Sequence, residues 1–293
     1  MAADTVLSPV ALAARQALAG VAVEPGARKP DPILVAEGIR RKFGGIVAVD
    51  VERVEVQRGS ITALIGPNGA GKTTFFNLIT GFDEPDAGRW SFDGRDLSGV
   101  AAHEVAGHGM VRTFQLTKSL TKMSVIENMK LGATDQRGER IWNGLLPFRW
   151  RAQEAAIEAR ANELLTRFKL QDKAQDYAGT LSGGQRKLLE MARALMVQPR
   201  LVMLDEPMAG VNPALKQSLN DHIRGLRDEG MTVLFVEHDM DMVHDVSDWV
   251  IVMAEGQVIA EGTPDDIAAN PAVIDAYLGA HQGLSLLGEE EPS

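Results

Sequence analysis

The 293-residue chain is 45% hydrophobic and 24% charged, enough to bury a substantial core, and its net charge of −10 gives no reason to expect nucleic-acid binding. It contains no cysteine, which excludes disulfides, a thiol nucleophile and zinc–thiolate sites. No run of 18 uncharged apolar residues occurs, so the chain is not expected to cross a membrane by itself.

Residues 1–31 read as a flexible, alanine-rich extension. Its most apolar part, 6–23, carries Pro9, Arg15 and Gln16, and Asp4 stands where a signal peptide wants positive charge. A linker of Pro25, Gly26, Arg28, Lys29, Pro30 and Pro32 follows. The folded part is expected to begin near residue 32. Segments 33–36 and 46–56 are rich in β-branched residues and break at Gly44-Gly45 and Gly59, so they read as strands. Phe43, just before the double glycine, reads from composition as a core aromatic.

The stretch Gly66-Pro67-Asn68-Gly69-Ala70-Gly71-Lys72-Thr73-Thr74 fits G-x-x-x-x-G-K-[S/T]. It follows a short apolar strand, 61–65, and precedes helical residues 75–79. In that context backbone N–H groups point inward and meet the positive end of a helix dipole, so polyphosphate is held without side-chain bulk. Lys72 is expected to reach the β and γ phosphates, and the Thr73 hydroxyl to take one position on Mg²⁺.

Residues 81–97, dense in Gly, Pro and Asp, suggest a turn and a small hairpin. The run 110–115 is a short strand ending in Gln115, which either caps the strand or ligates a metal and positions a water. Beyond it, 124–132 and 151–168 look helical. Between them, 138–150 carries Trp142, Leu145, Leu146, Phe148 and Trp150, either a core-filling loop or a contact surface.

Leu181-Ser182-Gly183-Gly184-Gln185 opens a helix to about 197, with Ser182 as N-cap. Two glycines after a cap cost about 1 kcal/mol each relative to alanine, which points to close backbone approach by a second anion. Leu201-Val202-Met203-Leu204-Asp205-Glu206-Pro207 reads as a buried strand with two carboxylates at its C-terminal end, where open α/β sheets bind ligands. Asp205 there can hold Mg²⁺, and Glu206 can accept a proton from an attacking water. A helix spans 213–228 and a buried strand 232–236, followed by Glu237-His238-Asp239; among six histidines, His238 alone stands at such a strand end. A hairpin over 250–260 and helices from Pro264 and Pro271 complete the fold. The acidic tail 283–293 is expected to be disordered.

These motifs together resemble the ATP-binding-cassette (ABC) ATPases over roughly residues 33–262. Residues 66–74, Gln115, 181–185, 204–207 and His238 are similar to that family's phosphate loop, Q-loop, signature, Walker B strand and switch histidine. The resemblance implies an α/β fold: a RecA-like P-loop NTPase core, an antiparallel β subdomain and an inserted α-helical subdomain at about 116–195, within a domain of 32–282. It also implies that Phe43 stacks on adenine and that two such domains pair head to tail. Each ATP would then lie between the phosphate loop of one and the signature of the other. Glu206 would be the general base and His238 a γ-phosphate contact, while Gln115 would report γ-phosphate occupancy. Asn212 stands in the D-loop, where many relatives have Asp.

Within the family, Phe43-Gly44-Gly45, residues 111–115, Glu237-His238-Asp239-Met240 and the ending 270–279 resemble the ATPases of branched-chain amino-acid importers. That subgroup implies a paralogous second ATPase subunit, two transmembrane permease subunits and an extracytoplasmic binding protein, with this chain peripheral on the cytoplasmic face of the inner membrane. Related urea, amide and lipopolysaccharide-export ATPases share much of the same ending.

Overall fold

The computed structural model describes residues 7–113, 120–133 and 151–286. Gln115 and the apolar stretch 138–150 lie outside them. In chain order the elements are α1 (Pro9–Leu18), β1 (Pro32–Phe43), β2 (Ile46–Gln57), β3 (Ile61–Ile65), α2 (Lys72–Leu78), β4 (Ala87–Phe92), β5 (Arg95–Asp96), α3 (Ala102–Gly107) and β6 (Met110–Arg112). There follow α4 (Val125–Leu131), α5 (Arg151–Arg167), α6 (Gly183–Ala194), β7 (Leu201–Asp205), α7 (Pro213–Asp228), β8 (Thr232–Val236), α8 (Met240–Val246), β9 (Trp249–Ala254), β10 (Gln257–Gly262), α9 (Pro264–Ala268) and α10 (Pro271–Leu286).

The apolar runs at 61–65, 201–204 and 232–236 become neighbouring parallel strands because residues apolar on both faces need cover on both. The six-stranded sheet has the order β10-β9-β3-β8-β7-β6, parallel except for the β9–β10 hairpin. On one face Ile61, Ala63, Val202, Leu204, Val233 and Phe235 pack with α4–α8; on the other Leu64, Met203, Leu234 and Ile251 meet Phe75, Phe76 and the second sheet. That second sheet is antiparallel, of order β2-β1-β4-β5. Helices α4–α6 lie in the chain between β6 and β7, and Ala161, Leu164, Leu165 and Phe168 of this region are buried. All five parallel strands therefore aim their C-terminal ends at one edge, where residues 66, 205 and 237 stand.

Within 1–31, expected to be a flexible extension, residues 9–18 form a helix packed on the domain. Ser8 caps α1, with its hydroxyl accepting from the Ala11 N–H at 3.1 Å, and Pro9 occupies the first turn. Ala11, Ala14 and Leu18, spaced at helical intervals, are buried. The Ser8 N–H donates to the Asp228 carbonyl at 3.0 Å, and Arg15 pairs with Asp248 at 3.1 Å. Val10 fills the space beside Gly59, where a Cβ would come within 2.6 Å of its Cγ1. A helix this short is marginal alone; packing, invisible to local propensity, holds it.

The segment expected to be a linker is anchored as firmly. Lys29 and Glu261 form an ion pair at 2.5 Å with both side chains fully buried. Glu261 also accepts from the Trp249 indole at 3.0 Å and the Gly26 N–H at 3.0 Å, and the ammonium lies 4.7 Å from the Trp249 ring centroid. At the other end α10 continues to Leu286, so the expected disordered tail begins as helix; 287–293 lie outside the described residues.

Removing one partner leaves a buried charge unpaired. Lys29→Ala should therefore destabilise the protein by about 3–5 kcal/mol in denaturant unfolding, whereas the double change Lys29→Met/Glu261→Met should recover much of the loss.

Candidate nucleotide-binding site

The loop after β3 is shaped by three glycines with left-handed backbones: Gly66 (φ 148°), Gly69 (φ 81°) and Gly71 (φ 93°). A Cβ on Gly66 would stand 2.0 Å from the Met253 carbonyl oxygen, and one on Gly71 2.3 Å from that of Ala48. Both positions thus need glycine for space as well as for φ, whereas Gly69 needs it for φ alone. Pro67 and Asn68 form the outer turn, Ala70 is buried beneath it, and Thr73 and Thr74 open α2 with Thr73 exposed. The Lys72 ammonium folds over the loop and donates to the Gly66 and Pro67 carbonyls at 2.7 and 2.9 Å. Burial pushes Lys72 below its ordinary value, while the Glu206 carboxylate acts on it in the opposite sense. Glu206, far away in sequence, is therefore near enough for its charge to act on Lys72.

Glu206 itself is exposed and adopts a left-handed backbone (φ 46°), its N–H donating to the Val236 carbonyl at 3.0 Å. Such a conformation in a non-glycine residue costs on the order of 1–2 kcal/mol and turns the carboxylate out from the strand end. Asp205, its neighbour, accepts from Arg112 at 2.5 Å. His238 is exposed beyond β8, and its Nδ1 lies 3.7 Å from Glu237. The described residues contain no group of three His, Cys, Asp or Glu able to cage a metal. A divalent ion beside Thr73 and Asp205 would take most of its ligands from phosphate and water, the habit of Mg²⁺ rather than of a protein-caged metal.

At the other expected anion site, Ser182 caps α6. Its hydroxyl accepts from the Gln185 N–H at 3.3 Å, and the Gln185 side chain accepts from the Ser182 N–H at 3.0 Å. The glycine cost has two explanations here. Gly183 is exposed, but Gly184 is buried, and a Cβ there would come within 2.5 Å of Leu215 Cδ2 on α7. Gly184 thus serves helix packing, a reason not visible in its local sequence. Among the described residues, no hydrogen bond of 181–187 runs to the phosphate loop; Lys187 instead donates to the Glu206 carbonyl at 3.3 Å. Phe43, read from composition as core, is 50% exposed at the end of β1, with the Arg41 guanidinium 5.0 Å from its ring centroid. One face of the ring thus carries a cation. Asn212 caps α7, accepting from the Leu215 N–H at 3.0 Å.

The "ABC transporter" family profile matches residues 50–209, more than half of the chain. The chain belongs to the ABC transporter ATP-binding family. A second profile, "Branched-chain amino acid ATP-binding cassette transporter", matches 257–282. The chain is 43% identical over 248 residues to a probable branched-chain amino acid transport ATP-binding protein LivG of Archaeoglobus fulgidus, covering 85% of this chain and 96% of the relative. It is 41% identical over 251 residues to the high-affinity branched-chain amino acid transport ATP-binding protein BraF of Pseudomonas aeruginosa, covering 85% and 98%. Among solved structures, the ADP conformation of an ABC transporter cassette superposes with a TM-score of 0.75 at 38% identity, over 85% of this chain and 99% of the other. A nucleotide-free cassette gives 0.74 at 38%, over 84% and 98%. The RecA-like core with its antiparallel and helical parts, expected from the motifs, is the fold these share.

Two side chains of this ABC cassette escaped the motif reading, Arg112 and Glu237. Both stand beside motif residues, Arg112 in 111–115 and Glu237 before His238, but their partners Asp205 and Met208 lie far away in the chain. The fully buried Glu237 carboxylate accepts from the N–H groups of Met208 at 2.8 Å, His238 at 3.0 Å and Asp239 at 3.4 Å. It ties the turn after Glu206 to the His238 loop.

Glu237→Gln puts an amide NH₂ against a backbone donor, a buried mismatch worth roughly 1–3 kcal/mol. We expect that loss in thermal unfolding, together with faster hydrogen exchange at the Met208 and His238 amides.

Proposed function

We propose that this chain is the ATP-hydrolysing subunit of an importer for branched-chain amino acids. The observation that carries this reading is the match to branched-chain transport ATPases over nearly their whole length, in a chain whose phosphate loop, Asp205 and Glu237 stand at one sheet edge.

In this reading the N–H groups of 66–74 bind the phosphates and Lys72 leaves its two carbonyls for the β and γ oxygens. Phe43 offers its ring to the adenine. Thr73, Asp205 and Gln115 would hold Mg²⁺ from the protein side, and the ion would supply positive charge to neutralise the phosphates. Glu206 takes the proton from the attacking water, and its left-handed backbone keeps the carboxylate turned toward Lys72. His238 contacts the γ-phosphate, with Glu237 fixing its backbone. Gln115 positions the attacking water and reports γ-phosphate occupancy to the helical subdomain.

The exposed Ser182 and Gly183 open a helix N-terminus whose hydrogen bonds, among the described residues, do not reach the phosphate loop, which favours service to a nucleotide on a second ATPase subunit, a paralogue of this one. Coupling to transport further requires two permease subunits, with an extracytoplasmic binding protein delivering the amino acid to them. Among the described residues no helix is long and apolar enough to cross a membrane, so attachment to the cytoplasmic face of the inner membrane would run through the permeases.

Detergent extraction of native membranes should recover the chain with integral membrane subunits; recovery only with ribosomes or DNA would overturn the transporter reading. Glu206→Gln should bind ATP normally, hydrolyse it at least a hundredfold more slowly, the usual scale for lost general-base catalysis, and accumulate as a closed dimer by light scattering. Unchanged turnover would remove Glu206 from its role.

A further inference from the structure

Arg112 ends β6, and its side chain is 7% exposed. One nitrogen donates to Asp205 Oδ2 at 2.5 Å and another to Asn77 Oδ1 at 2.6 Å. The rings of Phe76 and Phe82 lie 5.6 and 5.9 Å from the guanidinium carbon. Phe76 and Asn77 stand on α2, the helix that Lys72 opens; Asp205 ends β7. A single cation thus fastens three elements that converge on the phosphate loop.

Asp205 is also the side chain best placed to face a metal. Its carboxylate is only 27% exposed, so without a counter-charge its ionised form would lack much of its hydration. The guanidinium supplies that charge, and its planar fork meets the carboxylate and the Asn77 amide together while two aromatic rings flank it. A divalent ion approaching the same carboxylate meets a site already neutralised.

We propose that Arg112 is a built-in counter-ion for Asp205 that competes with the nucleotide-bound metal for this carboxylate. The inference rests on Asp205 being a metal-side residue. Metal arrival draws Asp205 away from Arg112 and relaxes the side-chain tie between β6 and β7, three residues ahead of Gln115 in the chain. Metal affinity is set below what the bare carboxylate would give.

The test is Mn²⁺ titration by electron paramagnetic resonance with saturating ATP in the non-hydrolysing Glu206→Gln background. Adding Arg112→Gln should tighten Mn²⁺ binding about tenfold, the equivalent of about 1.4 kcal/mol and within the range of one charge-assisted hydrogen bond. Simple structural damage would weaken binding instead. Arg112→Lys, which keeps the charge but not the fork, should shift it less in the same direction and serves if the glutamine variant does not fold. Asp205→Asn is the control. If it weakens Mn²⁺ binding but Arg112→Gln leaves affinity unchanged or lower, the competition is overturned and the metal-side assignment stands. If Asp205→Asn changes nothing, that assignment fails and the competition with it.

Discussion

The fold is organised around two contacts that leave no room for a side chain. Gly66 lies against the Met253 carbonyl of β9, and Gly71 against the Ala48 carbonyl of β2. The phosphate loop is therefore clamped between the parallel sheet and the antiparallel one. The Gly256 N–H donates to the Ala70 carbonyl at 3.1 Å and the Asp50 N–H to the Gly256 carbonyl at 2.8 Å, closing the clamp through the β9–β10 turn. Loop shape thus depends on the relative position of both sheets. Within the loop the Ala70 N–H donates to the Pro67 carbonyl at 3.2 Å, which tightens the outer turn.

Around that clamp the protein arranges charge at the ends of parallel strands. Asp205, Glu206 and Glu237 stand at adjacent strand ends, and each is managed differently. Asp205 is neutralised by Arg112, and Glu237 is buried and satisfied by backbone N–H groups. Glu206 is left exposed toward Lys72. Three neighbouring carboxylates would repel one another if equally free, and of the three Glu206 is the exposed one.

What could be read in advance follows from how local the physics is. The glycine-rich loop and α7 declare themselves through short-range signals, and α7 spans Pro213–Asp228 as expected because Asn212-Pro213 starts it and Gly230 follows its end. Strands apolar on both faces announced themselves as buried. The misses are tertiary. Arg112 finds Asp205 93 positions away and Lys29 finds Glu261 232 positions away, distances over which a single sequence carries no pairing signal. The same holds for α1, whose alanine stripe is too weak to predict a docked helix until the space above Gly59 is known. Phe43 was misread from composition because an exposed aromatic at a strand end looks like any core residue in a string of letters. The cassette resemblance, not the residues alone, turned it outward.

The central claim is that residues 66–74 hold the triphosphate of ATP while Phe43 holds its base. A crystal structure of the Glu206→Gln chain with ATP tests it most directly. The account predicts phosphate oxygens on the loop N–H groups, the Lys72 ammonium moved from the Gly66 and Pro67 carbonyls onto them, and adenine against Phe43. Nucleotide bound elsewhere, with Lys72 still closed over the loop, would contradict it.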